Sequence, residues 1–337
     1  MWTVSKKKIG YILLSLVVSV VLIWILLKSV DTEDFLTTFS NIFVPALLAF
    51  FVISLFGSFL RAWRYRLLLS PQKIGWGNIF LVTFIRNLFV DLLPVRIGSL
   101  SYIYILNKRL NISFNTATSS FVVAFVYDFI SLSPFLILAI LAVGLGSTAL
   151  STSVMLIFSI LFLVIMLVIY WQLPRFFLFL ISIYRIFLRI IRSDQKKWAA
   201  VSIEKLQHTV KDISRIKKGR NSLPIFLLSL GIRMTKYGAL YILLFALLQV
   251  HGYTLESLSI WKTILGITGA EMTGYLPIKG IGGFGTWESG WALTLMLLGF
   301  ESRIAVLSSG IHLVTNLFEY TLGLLSILIL ALPISKK

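Results

Sequence analysis

Apolar residues fall in long runs at 9–28, 42–60, 78–95, 116–145, 153–172, 223–250, 258–300 and 304–332. None alternates apolar and polar with the period of two that a half-buried strand shows. Most approach or exceed the roughly 20 residues with which a helix crosses a bilayer. The pattern predicts an all-α polytopic membrane protein. It excludes a transmembrane β-barrel, whose strands alternate over about ten residues. Two runs do not read as plain spans. Residues 78–98 carry Arg86, Asn87, Asp91, Pro94 and Arg96, poor material for a lipid-facing helix. The run 258–300 is interrupted by Pro277 and by Gly280, Gly282, Gly283 and Gly285, residues that end helices.

The flanking charges orient the spans. Lys6, Lys7 and Lys8 precede the first run, and Asp31, Glu33 and Asp34 follow it. With no small-x-small cleavage site after Lys28, the run reads as a retained first helix with its N-terminus inside. Residues 61–77 carry Arg61, Arg64, Arg66 and Lys73 without an acid, and 99–115 carry Lys108 and Arg109, so both belong inside. Residues 78–98 must then enter and leave on one side, as a re-entrant hairpin. Residues 173–222 hold twelve bases and three acids and form a large cytoplasmic segment. Lys336 and Lys337 put the C-terminus inside, so 258–300 begins and ends outside as a second re-entrant hairpin. The layout is six full spans and two re-entrant hairpins. Residues 1–150 form one membrane half, and 151–337 form a second of opposite orientation. This is an inverted-topology repeat, an architecture that holds substrate near the midplane between the halves. It is a topological repeat, with no residue-level identity evident between the halves.

Composition narrows the chemistry. Of 337 residues, 58% are hydrophobic and 13% charged, against about 25% charged in a soluble domain. There is no cysteine, which removes disulfides, thiolate metal sites and thiol nucleophiles. The net charge of +18 fits anionic lipid headgroups and cytoplasmic loops. Within 175–220, Phe176, Phe177, Leu180, Ile183, Tyr184, Phe187 and Ile191 oppose Arg185, Arg189 and Arg192, the pattern of an interfacial helix. No independent fold is left to bind nucleic acid.

Intramembrane charges are costly and mark function by default. Arg86 and Arg96 can hold a phosphate through bidentate hydrogen bonds, with Asp91 steadying an arginine; an internal salt bridge that pins the hairpin is the alternative. Glycines 280, 282 and 285 match G-x-G-x-x-G, but no βαβ unit surrounds them, so a dinucleotide site is rejected. Gly280, Gly282, Gly283 and Gly285 instead suit a backbone anion site at a helix start near Thr286, or a break that lets two half-helices pack; both uses can hold. Arg233 and Lys236 share one helix face, and Arg233 lies roughly 15 Å from Leu223. His312, Asn316 and Glu319 form one polar stripe. Asp91, Asp128, Glu271, Glu288 and Glu319 are acids in apolar segments; they relay protons or neutralise the buried bases, the latter being favoured for Asp128. One histidine with one glutamate is too little for a metal site. No metal or cofactor is expected.

The segments Arg61-Ala-Trp-Arg64-Tyr-Arg66, Asn87 through Leu93-Pro94-x-Arg96-x-Gly98, and Pro277-x-x-Gly280-x-Gly282-Gly283-x-Gly285-x-x-Glu288 together resemble the lysylphosphatidylglycerol synthase transmembrane, or flippase-like, family of bacteria and archaea. The resemblance covers nearly the whole chain. It implies a membrane region that moves an aminoacylated lipid between leaflets, here standing alone without the aminoacyl-transferase domain. One departure is Ser99, where the family often has an acid.

The resulting expectation is a translocator or binder of an anionic or aminoacylated (lysyl-) phospholipid in the cell membrane rather than an enzyme. Arg86, Asp91, Arg96, Arg233, Lys236, Lys279, Glu288 and Glu319 would meet the headgroup. No ATP site is visible, so movement would be passive or ion-coupled. The alternatives are an integral-membrane enzyme of lipid or lipid-linked glycan modification, with Glu288, Glu319 or Asp91 as base, and a non-catalytic partner that holds a lipid-modifying enzyme through 173–222.

Overall fold

The computed structural model describes residues 6–28, 30–93, 98–144, 152–193, 195–276 and 280–331, with side chains from residue 15 onward. These residues are helical, and no strand occurs among them. In chain order the helices are α1 (Lys6–Leu27), α2 (Thr32–Ser40), α3 (Val44–Leu68), α4 (Trp76–Leu92), α5 (Ser101–Lys108), α6 (Phe114–Val143) and α7 (Thr152–Ile190). They continue with α8 (Lys197–Lys218), α9 (Ser222–Leu248), α10 (Ile260–Thr273), α11 (Thr286–Leu297), α12 (Ser302–Ser308) and α13 (Ile311–Ala331).

Local chemistry sets several boundaries. Pro45 stands in the first turn of α3, where its missing N–H costs nothing. Ser113 Oγ accepts from the Thr116 N–H at 3.2 Å to start α6, and Ser259 caps α10 through the Lys262 N–H at 3.3 Å, each satisfying a donor that the first turn would orphan. Among the described residues, five stretches are long and apolar enough to cross a bilayer: Val44–Leu68, Phe114–Val143, Ser153–Ile190, Ser222–His251 and Ser302–Ala331. A sixth is added if Ser15–Leu27 and Thr32–Ser40, bent by 94° at their junction, count together. The chain is a multi-pass membrane protein. Helices α4, α10 and α11, of 17, 14 and 12 residues, reach only about 25, 21 and 18 Å. Each is shorter than the roughly 30 Å hydrocarbon layer.

Helix α3 packs along α9, α4 along α13, α10 along α11, and α6 against α7, α8 and α10. The faces turned outward are apolar, as on α7, where Phe158, Val168 and Trp171 are exposed; these contact lipid rather than water.

Two expectations need correction. Arg61 and Arg64 do not lie beyond the end of their helix in an open flank. Helix α3 continues through both, and Arg64 is only 1% exposed, inside the bundle. Nor does the fourth span end at residue 172. Helix α7 runs 39 residues through Pro174, about 58 Å, so the first third of the basic segment 173–222 is part of it. Lys217 of α8 donates to the Trp171 carbonyl at 2.7 Å, next to the Tyr170 carbonyl that Pro174 leaves without its helical donor.

Gly98 packs directly on the backbone of α4. A Cβ on Gly98 would lie 1.6 Å from the Phe89 carbonyl oxygen, so only glycine lets the chain fold back there. Gly98→Ala should therefore destabilise the protein by about 2 kcal/mol or more. Gly238→Ala, in α9 with nothing within 4 Å of the new methyl, should be neutral or stabilising by about 0.5–1 kcal/mol. Thermal unfolding in detergent, followed by tryptophan fluorescence, compares the two; equal effects would contradict this packing.

Candidate functional site

Helices α3, α4, α6, α9, α10 and α13 enclose a cavity of about 210 Å³. Four cations line it, namely Arg61, Arg86, Arg233 and Lys236, and so do four acids, namely Asp91, Asp128, Glu271 and Glu319. A smaller space of about 70 Å³ shares Asp91, Lys236, Glu271, Trp287 and His312 with it and adds Gly282 and Gly283. So many ionisable groups in a helical membrane core must be compensated locally.

Some of these charges are held in ion pairs. Arg64 Nη1 lies 2.5 Å from Asp128 Oδ1 and donates to Ser229 Oγ at 2.9 Å. This locks α3, α6 and α9 together. Arg233 donates through Nη1 to Glu271 Oε2 at 3.0 Å and through Nη2 to the Asp128 carbonyl at 3.0 Å. Lys236 pairs with the other oxygen of Glu271. One carboxylate on α10 thus holds two cations one turn apart on α9.

The α3–α4 wall is different. Arg61 Nη1 and Arg86 Nη1 both donate to Asn87 Oδ1, at 2.7 and 3.2 Å. Two guanidinium groups share one neutral acceptor and make no other hydrogen bond among the described residues, which leaves N–H donors for an anion. Glu319 lines the same cavity from α13. Among the described residues it has neither a hydrogen bond nor an ion pair.

The third cluster joins α11 to α13. Gly285 sits at φ +84°, a left-handed conformation that favours glycine, and its N–H donates to Glu288 Oε2 at 2.7 Å. The other oxygen, Oε1, lies 2.6 Å from His312 Nδ1. His312 Nε2 faces Asn316 Nδ2 at 3.0 Å. Trp287 stacks flat on the imidazole, 4.6 Å between ring centres and 8° from parallel. From α1, Ser19 Oγ donates to the Phe284 carbonyl at 3.0 Å and accepts the Ile281 N–H at 2.9 Å.

Of the residues anticipated from sequence, Arg86, Asp91, Arg233, Lys236 and Glu319 converge on the cavity. Glu288 stands behind it, one step removed through His312. Gly282 and Gly283 line the smaller space, whereas Gly280 and Gly285 press against Ser19. Because Ser19 occupies the Ile281 amide, that amide is not open to an anion. Arg96 and Lys279 lie outside the described residues. Arg61, Asn87, Glu271 and His312 belong to the cavity and were not among the anticipated headgroup residues. A further signal also went unread. Leu93-Pro94-Val95-Arg96-Ile97-Gly98 and Leu276-Pro277-Ile278-Lys279-Gly280-Ile281-Gly282 share Leu-Pro, an aliphatic residue, a base and then Ile-Gly, offset by one glycine. Residue-level identity between the two parts of the chain is therefore present at these two segments.

Removing one partner of a buried ion pair strands the other charge, at a cost of about 3–5 kcal/mol. Asp128→Leu should lose that much stability. The double variant Arg64→Leu/Asp128→Leu should regain at least half of it in thermal unfolding. Additive losses would contradict a closed pair.

The family model of the lysylphosphatidylglycerol synthase TM region matches residues 12–323. No curated protein and no solved structure matches the chain.

Proposed function

The chain belongs to the family of lysylphosphatidylglycerol synthase transmembrane regions, membrane proteins of lipid modification or transport, and on that premise we propose that its cavity carries the headgroup of an anionic or aminoacylated phospholipid between leaflets of the cell membrane. The observation that carries this reading is the pairing of Arg61 and Arg86 on the single oxygen of Asn87. Two such forks, short of acceptors in a low-dielectric site, suit the oxygens of a phosphodiester.

The rest of the wall suits the other end of an aminoacylated headgroup. Glu319 offers a carboxylate without a hydrogen-bond or ion-pair partner among the described residues. Asp91 lies on the same cavity. Cations and acids balance along the lining, so a headgroup of both signs meets complementary partners. Glu271, holding Arg233 and Lys236, keeps these two bases in place and can release Lys236 to the lipid. Ser99 lines the cavity at the position where the resemblance has an acid, which makes this site less acidic than that pattern and more tolerant of a plain anionic lipid. Arg96 and Lys279 are proposed as further cations at the two helix breaks.

An inverted repeat supports passage between leaflets. Counting from the start of each half, α3 corresponds to α9, α4 to α10 and α6 to α13. Helix α3 packs on α9, α4 on α13 and α10 on α6, the pairings that a two-fold exchange of halves would generate. The shared Leu-Pro-x-base pattern falls at equivalent breaks. In this reading α4–α5 and α10–α11 are re-entrant, both termini are cytoplasmic, and the headgroup crosses between the breaks.

The test is leaflet exchange of fluorescent phosphatidylglycerol, its lysyl ester and phosphatidylcholine in proteoliposomes. Wild type should exchange the first two faster than empty vesicles. Arg61→Gln should slow both by about tenfold or more, the worth of a charge-assisted hydrogen bond. Glu319→Gln should slow only the lysyl ester. Exchange of every lipid at the rate of empty vesicles would overturn the proposal.

A further inference from the structure

The cluster of His312, Glu288 and Asn316 has no role in the headgroup account, yet its geometry is that of a switch. His312 is 7% exposed and Asn316 is 2% exposed, and both line the main cavity. Nδ1 of the imidazole is held by Glu288, whose second oxygen is fixed by the Gly285 N–H. Nε2 faces the Asn316 side-chain amide, whose nitrogen is also 3.5 Å from the Gly282 carbonyl. In this arrangement Nδ1 carries the proton, and Nε2 accepts from Asn316.

A second proton, arriving on Nε2 from the cavity, turns that acceptor into a donor. The charged ring keeps its bond to Glu288 and gains charge assistance from it. At Nε2 two donors now meet. Rotating the Asn316 amide by 180° resolves this, because its oxygen then accepts from Nε2. The same rotation carries the amide nitrogen away from Gly282 and turns oxygen toward the Gly282 carbonyl, a repulsive contact. Both protonation states are satisfied at His312, and only one of them lets α13 hold the glycine break at 280–285.

We propose that His312, set between Glu288 and Asn316, is a proton-binding site that latches the glycine break onto α13 and releases it on protonation. Coupling of this latch to lipid movement rests on the reading of the preceding section; the latch itself does not. The charged groups that share the two cavities with the imidazole are Arg61 on α3, Arg86 and Asp91 on α4, Asp128 on α6, Arg233 and Lys236 on α9 and Glu271 on α10. Glu288 faces it from α11, Glu319 from its own helix, and Tyr320 reaches Gly282. The described part of α1 contributes only the neutral Ser19 to the break. Glu288 alone among these is bonded to the ring, so it is the group whose loss should move the response most.

The experiment uses the full chain in lipid nanodiscs between about pH 5 and pH 8, the range in which imidazole usually changes charge. Trp287 reports the proton, because a charged ring stacked on indole quenches it. Wild type should show a fluorescence transition that Trp287→Phe and His312→Gln both abolish and that Glu288→Gln displaces. A Trp287 signal that stays flat across this range would overturn the proton site, and it requires no variant that perturbs folding. Hydrogen–deuterium exchange of the amides at 280–285 reports the latch. Corrected for the intrinsic pH dependence, it should quicken about fivefold on acidification, the worth of one hydrogen bond, in wild type but not in Asn316→Leu. Exchange that follows the intrinsic rate alone would overturn the latch. In vesicles with an imposed pH gradient, lipid exchange indifferent to the gradient would overturn the coupling. Exchange of no lipid at all would instead overturn the translocation reading, with the fluorescence and deuterium results still deciding the proton site.

Discussion

Compensation of charge inside an apolar bundle is the constraint on which this structure depends. A lone ion in the hydrocarbon layer costs several kcal/mol, and a buried pair holds only if its remaining polar atoms are also satisfied. Arg64 meets most of that demand through Nη1, which reaches Asp128 and Ser229, while its buried Nε has no hydrogen-bond partner among the described residues; Arg233 meets it with Glu271 and the Asp128 carbonyl. These links join α3, α6, α9 and α10 at one level of the bundle. They fix the walls of the cavity before any ligand is considered. The same constraint identifies what is held in reserve. Arg61 and Arg86 converge on one amide oxygen, an arrangement that an anion would complete.

The chemistry at the other wall follows from broken helices. A continuous helix uses its own amides and carbonyls and offers little to a substrate. A break near the middle of the membrane frees them, and it is tolerated only where protein or a wet cavity surrounds it. Between α10 and α11 the freed groups are taken up by Ser19 of α1, by Glu288 and by Thr286, whose hydroxyl donates to the Gly283 carbonyl at 2.9 Å. The break is therefore held by a few individually weak contacts. Changing the proton count at His312 is enough to alter one of them.

Much of this was legible in the chain, and the failures have physical causes. Apolar runs gave the long helices, because their lengths must match the bilayer. The polar stripe of His312, Asn316 and Glu319 was visible because helical spacing alone puts them on one face. Arg61 and Arg64 were placed in an open flank because flank counting assumes that a base near the end of an apolar run lies beyond the helix. Helix α3 continues to Leu68, and the acid that neutralises Arg64 is 64 residues away on α6. Sequence spacing carries no trace of such a pair. The apolar face at 176–191 was read as an interfacial helix of its own, although α7 runs unbroken into it through Pro174. The glycines after Pro277 signalled a break, but not that Ser19, more than 260 positions earlier, would occupy its amide.

The central claim is that a lipid phosphate completes the arginine pair on Asn87. The most direct measurement is electron cryomicroscopy of the protein in nanodiscs containing lysylphosphatidylglycerol. The account predicts phosphate density in the cavity, within hydrogen-bond reach of both Arg61 and Arg86, with the lysyl amine toward Glu319. A cavity holding only water between the two guanidinium groups, with lipid confined to the outer apolar belt, would contradict it.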